Sequence, residues 1–329
     1  MWSWSCPLTA RVSERAGAAR HGPLALAGWC GVLALGAAAA LSGAGSDLTA
    51  PRRLADPAAL ARARMAQGDA AWVRRAEGYA GGLAAAGPAA AAVAAYEQAI
   101  HLDPGSLEAY WKLQRALWFQ GEYATAEGDR RRRIYDRGRQ VSELALDLLA
   151  RGAGGRKRLD AMAAPAIARA LAGREHAAQV YLGAAAHWGL WAQASGAFAT
   201  VRQGALAKVR DYTLASLALD PRWHDGAGWR LLGRLYTRTP RVPLLSGWID
   251  RERGMTALRR GFAINPAEPT NRLFLAEAIL DEHPHDREAL ALLEGLLALA
   301  PRQEWLVEDT TVREQAVALL QHSKAEARR

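Results

Sequence analysis

Cysteine is nearly absent from this chain of 329 residues, because only Cys6 and Cys30 occur and both lie near the N-terminus. The rest of the sequence therefore carries no disulfide, no thiolate nucleophile and no cysteine zinc ligand. β-Branched residues are sparse as well, whereas Ala, Leu and Arg dominate, and this balance favours helices almost throughout. A serine nucleophile elbow and a phosphate-binding glycine loop are also missing. These absences predict an all-α chain and argue against the common enzyme classes.

Residues 1–44 have the layout of a secretory leader. A basic region with three arginines is followed by an apolar run at residues 23–41 and by small residues at Ser42 and Ala44. This order predicts a signal peptide cleaved after Ala44. An uncleaved membrane anchor is the alternative, since about 19 apolar residues can just span a bilayer, and a cytosolic protein with an unusual leader is the third. The first two place the body outside the cytoplasm, as a periplasmic or exported protein, after a linker at residues 45–57.

The chain is basic and rich in hydrophobic residues. Its formal charge is +9, and 50% of its residues are hydrophobic. Three arginines and one glutamate of the leader account for +2 of this charge, which leaves +7 on the body. The hydrophobic content allows a sizeable core and excludes global disorder.

Four proline-containing tripeptides end helical runs along the chain. The prolines of the last three are 45 and 35 residues apart. The tripeptides are LDP at 102–104, LDP at 219–221, INP at 264–266 and LAP at 299–301. A helix that stops before a proline and restarts one turn later forms half of a helical hairpin. The sequence therefore predicts repeated hairpins.

The residues around the first stop show the repeat in most detail. Small residues at Ala92, Ala99 and Ala126 permit close approach of helices, and large residues such as Tyr96 and Tyr110 fill the space beside them. This spacing resembles the tetratricopeptide repeat, a helical hairpin of about 34 residues. Further segments match the same pattern at Tyr181–Trp188, Trp229–Tyr236 and Leu275–Leu296.

We therefore predict an all-α, tetratricopeptide-like helical-hairpin solenoid with irregular repeats and a C-terminal capping helix. An ordinary helical bundle is the alternative. Tetratricopeptide-like helices are predicted over residues 58–150 and again over residues 165–301. The glycine-rich segment 151–164 is predicted as a hinge or loop between them, and residues 302–329 as the capping helix with a basic tail.

Four segments carry a narrower resemblance. They are YDRGRQVSELALDL, VYLGAAAHWGLWA, LALDPRWHDGAGWRLLGRLY and NRLFLAEAIL, in this order. They are similar to a bacterial family of irregular tetratricopeptide proteins that includes the T-component of tripartite ATP-independent periplasmic (TRAP) transporters and resembles the regulator of microtubule dynamics proteins. This resemblance implies a role in ligand delivery outside the cytoplasm through contact with a solute-binding protein. Trp29 precedes Cys30, where a lipoprotein cleavage site requires a small residue, so the chain departs from the lipoprotein pattern and favours a soluble or N-terminally anchored relative.

Candidate catalytic and metal-binding groups are few. His283 and His285 stand among carboxylates that could ligate a metal, but they fall in a predicted turn where polar residues are expected. His224 and Asp225 could form an acid–base pair, although an aspartate after a helix stop more often caps the next helix. His187 lies in an apolar helix and is predicted to be a buried, satisfied histidine. We predict no metal, no cofactor and no enzymatic activity.

The run Arg130–Arg133 is the most basic stretch of the body. It spans a full helical turn and is accompanied by no nucleic-acid motif, so we interpret it as a solvated helix face and predict no nucleic-acid partner. Contact with an anionic partner or a lipid surface is the alternative.

Recognition is the remaining function. In a tetratricopeptide solenoid, the first helix of each pair lines a concave groove. The predicted groove residues are Glu108, Trp111, Arg115, Trp118, Arg230 and Arg234. Trp and Arg are frequent binding anchors, and the arginines predict an acidic or carboxylate-bearing ligand. The alternative is that the tryptophans only fill an irregular core.

These residues lead to two functional predictions. The first is an exported scaffold that binds a protein partner and is accessory to a solute transport system. The alternative is a periplasmic carrier of an apolar or carboxylate small molecule. The sequence does not specify the oligomeric state.

One repeat contains an extended turn. Measured from Trp229, an ordinary repeat ends 28 residues later, whereas Pro266 is 37 residues away, so about nine residues are inserted at the hairpin turn. Leu244, Leu245 and Trp248 in this insertion need a surface to cover. Because loops often carry function, we predict that they contribute to partner binding.

Overall fold

The computed structural model describes residues 56–242 and 246–326, and within these ranges its regular elements are helices without any β-strand. The leader 1–44, most of the predicted linker, Leu244 and Leu245 lie outside the described residues. The α-helices are α1 (Pro57–Val73), α2 (Ala86–Leu102), α3 (Leu107–Tyr123), α4 (Gly128–Arg151), α5 (Arg156–Asp160), α6 (Ala164–Ala170), α7 (Ala177–Arg202), α8 (Ala205–Leu219), α9 (Trp223–Arg238), α10 (Arg251–Ile264), α11 (Pro269–Leu280), α12 (Arg287–Leu297) and α13 (Leu306–Glu326). The all-α prediction is confirmed.

The helices pack in the order of the chain. The hairpin pairs are α1 with α2, α3 with α4, α7 with α8, α9 with α10, and α11 with α12. The second helix of each pair packs on the first helix of the next pair, and α13 packs on α11 and α12. The first helices also contact one another, because α3 meets α7, α7 meets α9, α9 meets α11 and α11 meets α13. This sequential packing confirms the predicted helical-hairpin solenoid.

The predicted helix stops lie where proline restricts the backbone. Helices α2, α8 and α10 end one residue before Asp103, Asp220 and Asn265, which have φ of −135°, −151° and −145° with ψ near 90°. A proline follows each of these residues, and proline disfavours the helical conformation of the residue before it. The local sequence therefore fixes the ends of these helices.

Small residues set the distance between paired helices. In α2, α8, α10 and α12 the same spacing of buried residues recurs before the stop, at 92/96/99, 209/213/216, 254/258/261 and 289/293/296. The approach between α9 and α10 shows the effect on both helices. A Cβ on Gly233 would lie 2.5 Å from Leu258, and one on Gly254 would lie 2.8 Å from Thr237. Glycine is required here because neighbouring atoms already occupy the space of a side chain.

The predicted hinge at 151–164 contains the short helix α5. Leu159 of this helix is fully buried. Arg156 pairs with Glu143 and Asp147 of α4 and also donates to the hydroxyl of Tyr212 in α8. The segment is therefore tied to the hairpins on both sides of it.

His187 of α7 is completely buried. Its Nε2 lies 2.9 Å from the carbonyl oxygen of Gln114 in α3, and because a carbonyl only accepts, this nitrogen carries the proton. The ring packs on Gly138 of α4, where a Cβ would come within 2.1 Å of it. Burial lowers the pKa of His187 to about 4. The prediction that His187 is buried is confirmed, and Nε2 supplies its hydrogen bond.

Stability is expected to fall when the pH is lowered from about 6.5 to about 4. In this window the unfolded chain binds a proton at His187 and the folded chain does not, so the loss reaches about 3 kcal/mol of unfolding free energy. Urea denaturation between about pH 7 and pH 4 measures this loss. His187→Gln, which does not titrate, should lack this part of the pH dependence, while the exposed His283→Gln should keep it. An unchanged pH dependence in His187→Gln would contradict the assignment.

An ion pair joins the two ends of the described helical array. Arg75, in the short 3₁₀ turn Arg74–Ala76 after α1, places Nε 3.0 Å from Oε1 of Glu308 in α13. The two side chains are 4% and 0% exposed. Arg75 also donates to the backbone oxygens of Trp72 and Glu304. The first hairpin therefore contacts the last helix, and the array closes on itself.

We expect Glu308→Gln to lower the free energy of unfolding by about 3–5 kcal/mol, because it leaves the buried charge of Arg75 without its partner. Denaturant unfolding measures the loss. Glu288→Gln is the matched control, since it breaks the exposed pair between Glu288 and Arg259 and should cost less than about 1 kcal/mol. Equal effects of the two changes would mean that the buried pair does not hold the ends together.

Candidate binding site

Seven side chains from both ends and the middle of the array form a closed circuit of contacts, which we call the aromatic–arginine ring. Its members, in contact order, are Trp111, Trp223, His224, Trp305, Arg75, Trp72 and Arg115. Ring centroids and guanidinium carbons of successive members lie 4.1–6.3 Å apart, and Arg115 closes the circuit at 4.8 Å from Trp111. The closure at Arg75 brings these helices together, and the first helices α3 and α9 contribute two members each.

Two buried N–H donors of the ring lack an acceptor. Among the residues that the structure describes, Nε1 of Trp111 and Nε of Arg115 find no hydrogen-bond partner, and they have almost no solvent contact. The two residues are four positions apart on α3 and therefore lie on one helix face. A buried donor without a partner costs about 1–3 kcal/mol. A ligand that binds this face of α3 is therefore expected to carry a hydrogen-bond acceptor.

The charge of Arg115 favours an acceptor that is negative. The guanidinium is stacked between Trp72 at 4.1 Å and Trp111 at 4.8 Å. Burial lowers the pKa of Arg115, while the hydroxyl of Tyr96 and the carboxylate of Asp69 partly offset this effect. Among the described residues, no carboxylate lies within ion-pair distance of Arg115, and the nearby Asp69 pairs with Lys112. A carboxylate brought to this face would supply the missing partner.

The pKa of His224 keeps this ring residue neutral. Burial lowers the pKa of His224 well below its ordinary value, and the guanidinium groups of Arg230, Arg115 and Arg302 lower it further. The positive charge of the ring therefore comes from Arg75 and Arg115. Arg75 is neutralised by Glu308. In the described part of the chain, Arg115 is therefore the ring cation without a carboxylate at ion-pair distance.

Two ring members come from a strained turn at the start of α9. His224, Asp225 and Gly226 have φ of 50°, 57° and 79°. Positive φ in a non-glycine residue costs about 1–3 kcal/mol. The turn is held by α9 and α11, since Arg230 donates to the carbonyl oxygens of His224 and Asp225, and Asn271 donates to the carbonyl oxygen of Asp225.

The structure brings together two of the predicted groove residues. Trp111 and Arg115 are partly exposed members of the aromatic–arginine ring. Glu108 lies one turn earlier on α3, is about half exposed, and pairs with Lys112 at 2.8 Å. This carboxylate is therefore engaged on the helix surface and does not reach Arg115.

The other predicted groove residues are buried in this structure, and their role in binding stays a prediction. Trp118 is 1% exposed and packs edge-on against Tyr123 in the core. Arg230 is 1% exposed and clamps the strained turn. Arg234 is 4% exposed and pairs with Glu277 of α11. The spacing of a repeat predicts which helix face a residue lies on, but the tight contact of α9 with α11 buries this part of the face.

The residues considered for catalysis, metal binding or nucleic-acid binding have structural contacts or lie on the surface. The carboxylate of Asp225 accepts from Asn265, while the ring of His224 packs against Trp305. His283 and His285 are exposed in the turn after α11, and Asp286 caps α12 by accepting from the amide of Ala289. Three of the four residues of Arg130–Arg133 are exposed, as expected for a solvated helix face.

The extended turn packs on the body of the protein. Trp248 stacks edge-on against Tyr236 at 5.7 Å, and Arg210 lies 4.5 Å over its ring. Ser246 accepts from the amide of Val242 and donates to the carbonyl oxygen of Pro240. An open surface pocket of about 680 Å³ lies beside the turn, lined by Tyr236, Thr237, Trp248, Asp250, Arg251 and Arg253, among others. Its role in partner binding stays a prediction.

Five ring members were not predicted from the sequence. Trp223 and Trp305 each follow a helix-stopping proline by a few residues, as Trp111 does, so an aromatic residue after the stop is a usable signal. Trp72 and Arg75 are three positions apart, which is a face-sharing spacing. No local pattern pairs Arg75 with Glu308, because 233 positions separate them.

No protein-family model matches this chain, and no curated protein matches it. Among solved structures, the chain is similar to a thermophilic tetratricopeptide repeat protein of Thermus thermophilus. The sequences are 16% identical, the alignment covers 79% of this chain and 98% of the other, and the TM-score is 0.49.

Two further features concern the residues that the structure describes. Over 56–242 and 246–326, no three or more histidine, cysteine, aspartate or glutamate side chains are grouped to hold a metal ion. In the same part of the chain, no helix has both the length and the apolar character needed to cross a bilayer.

Proposed function

We propose that this protein is a non-enzymatic interaction scaffold that binds a protein partner at the aromatic–arginine ring. The single observation that carries the proposal is the pair of unsatisfied donors on α3, Nε1 of Trp111 and Nε of Arg115, between aromatic faces. Trp and Arg are the side chains most enriched at binding hot spots. A carboxylate of the partner fits this site, because Arg forms strong charge-assisted hydrogen bonds with carboxylates.

We further propose that the protein works outside the cytoplasm, as an accessory to a periplasmic solute transport system. The layout of residues 1–44 supports export. The resemblance to the T-component family supports a solute-binding protein as the partner, and the array of helical hairpins suits such a contact because solenoids present extended surfaces.

Crosslinking pull-down from the native envelope tests the partner. We expect wild-type protein to recover a specific protein partner and Trp111→Ala to recover roughly tenfold less, as expected for loss of a hot-spot side chain. Arg259→Ala, an exposed change on α10, should recover as much as wild type. Equal recovery by Trp111→Ala would remove the ring from the proposed interface.

The same two donors also favour the second candidate, a carrier of a small carboxylate. Native mass spectrometry of the purified protein separates the two candidates. A stoichiometric small molecule retained by wild type and lost by Trp111→Ala would favour the carrier, whereas a protein partner without a bound small molecule would favour the scaffold.

N-terminal sequencing of the exported protein tests its location. We expect a mature chain that begins at Gly45, because small residues at Ser42 and Ala44 suit cleavage after Ala44. A chain that keeps the apolar run and fractionates with the membrane would instead support the anchor. Recovery only in the cytoplasm would contradict export.

A further inference from the structure

We propose that the turn Trp223–Gly226, which contributes two members of the aromatic–arginine ring, is a built-in occupant of the site formed by the other five members. The partner segment that displaces this turn carries an aromatic side chain beside a carboxylate. This inference rests on the proposed function, because it names the chemistry and the control of the same site. It is carried by the conformation of the turn, by its contacts, and by what those contacts leave unsatisfied.

The backbone of the described chain is strained at this site more than elsewhere. Its non-glycine residues with positive φ are His176, His224 and Asp225. His176 packs against Trp111, with ring centroids 6.1 Å apart, and His224 belongs to the ring itself. Such backbone conformations persist only where the surrounding structure imposes them, and they cluster at ligand clamps and switch regions.

Side chains outside the turn hold its conformation. Arg230 donates to the carbonyl oxygens of His224 at 3.0 Å and of Asp225 at 2.8 Å. Asn271 of α11 donates to the carbonyl oxygen of Asp225 at 3.1 Å, and Asn265 donates to its carboxylate at 3.0 Å. The turn is therefore held from α9 and from the following segments, and it can be released without unfolding a helix interior.

The turn supplies the aromatic contacts of the site but brings no carboxylate to Arg115. Trp223 meets Trp111 edge-on at 6.3 Å, and His224 meets Trp305 at 5.1 Å. The carboxylate of Asp225 is directed to Asn265, so the turn brings no acceptor to Nε of Arg115. A segment with both an aromatic ring and a carboxylate would replace the contacts of Trp223 and also satisfy the donors of α3.

Charge favours the same class of partner. Arg75 and Arg115 both belong to the ring, and within residues 56–242 and 246–326 only Arg75 of these two has a carboxylate at ion-pair distance, that of Glu308. An acidic aromatic segment thus meets a cation that lacks a carboxylate partner and has aromatic faces on both sides. A purely apolar segment would leave Arg115 without a carboxylate partner, as in the present structure.

Peptide binding to the full chain tests the inference. The probe is a fluorescein-labelled hexapeptide of glycine and aspartate around one tryptophan, and fluorescence anisotropy gives the affinity. We expect Trp223→Ala to bind it about fivefold more tightly than wild type, because one aromatic competitor is removed. Trp111→Ala should bind more weakly than wild type. Trp191→Ala, which removes another partly buried tryptophan outside the ring, should bind like wild type.

Two control peptides separate the parts of the ligand. Replacing the tryptophan of the probe by alanine, or its aspartates by asparagines, should each weaken binding to Trp223→Ala. Equal binding of the asparagine peptide would overturn the requirement for a carboxylate. Failure of the probe to bind both wild type and Trp223→Ala would overturn the ligand class, while the envelope pull-down would still judge the proposed function separately.

Hydrogen exchange on wild-type protein gives a second measurement that does not depend on the folding of a variant. Saturation with the probe should speed exchange of amides 222–228, because the turn leaves its clamp. Slower exchange there, or weaker binding by folded Trp223→Ala, would show that the turn is part of the receptor and would overturn the inference. In that case the proposed function would stand if Trp111→Ala still loses the partner.

Discussion

The contact between Arg75 and Glu308 is the interaction on which the site depends. A helical-hairpin array grows by contacts between neighbours, and such contacts alone do not bring the first hairpin to the last helix. Here the guanidinium of Arg75 reaches Glu308 and the backbone of Glu304, and it stacks on Trp72 and Trp305. Because Arg75 belongs to the aromatic–arginine ring, the contact that joins the two ends of the array also completes the site.

Buried and partly buried arginines tie several parts of this array together. Arg230 and Arg234 connect α9 to α11, and Arg302 connects Glu268 at the start of α11 to Asp309 of α13. Small residues bring paired helices close but leave little side-chain volume between successive hairpins. The long planar fork of arginine spans this distance and satisfies several acceptors at once. Each tie also fixes a charge in the interior, so removal of one partner leaves the other unsatisfied.

The site combines a rigid frame with a strained segment. Trp111 and Arg115 stand on α3, whose position is set by α2, α4 and α7. Trp223 and His224 stand on a turn held in positive φ by hydrogen bonds from elsewhere. A frame that keeps its donors in place, together with a segment that gains backbone freedom on release, suits binding coupled to displacement. For the proposed function, the difference between the rigid helix α3 and the strained turn matters more than the number of aromatic side chains.

The predictable parts of this protein are those that depend on near neighbours in the chain. Residues before proline cannot stay helical, and small residues at repeated spacing permit close helix packing, so the helix stops, the hairpins and the buried His187 follow from local patterns. Trp111 and Arg115 could be placed on one face of α3 for the same reason. The burial of Trp118, Arg230 and Arg234 could not, because it depends on how closely successive hairpins approach.

The sequence by itself determined an all-α array of hairpins and the helix face that carries Trp111 and Arg115, because helical periodicity and proline act over a few residues. Only the tertiary structure decided that Arg75 meets Glu308, that Trp72, Trp223 and Trp305 join one ring, and that a strained turn fills it. These contacts depend on the accumulated curvature of the whole array, since a small rotation at each hairpin sets whether its two ends meet.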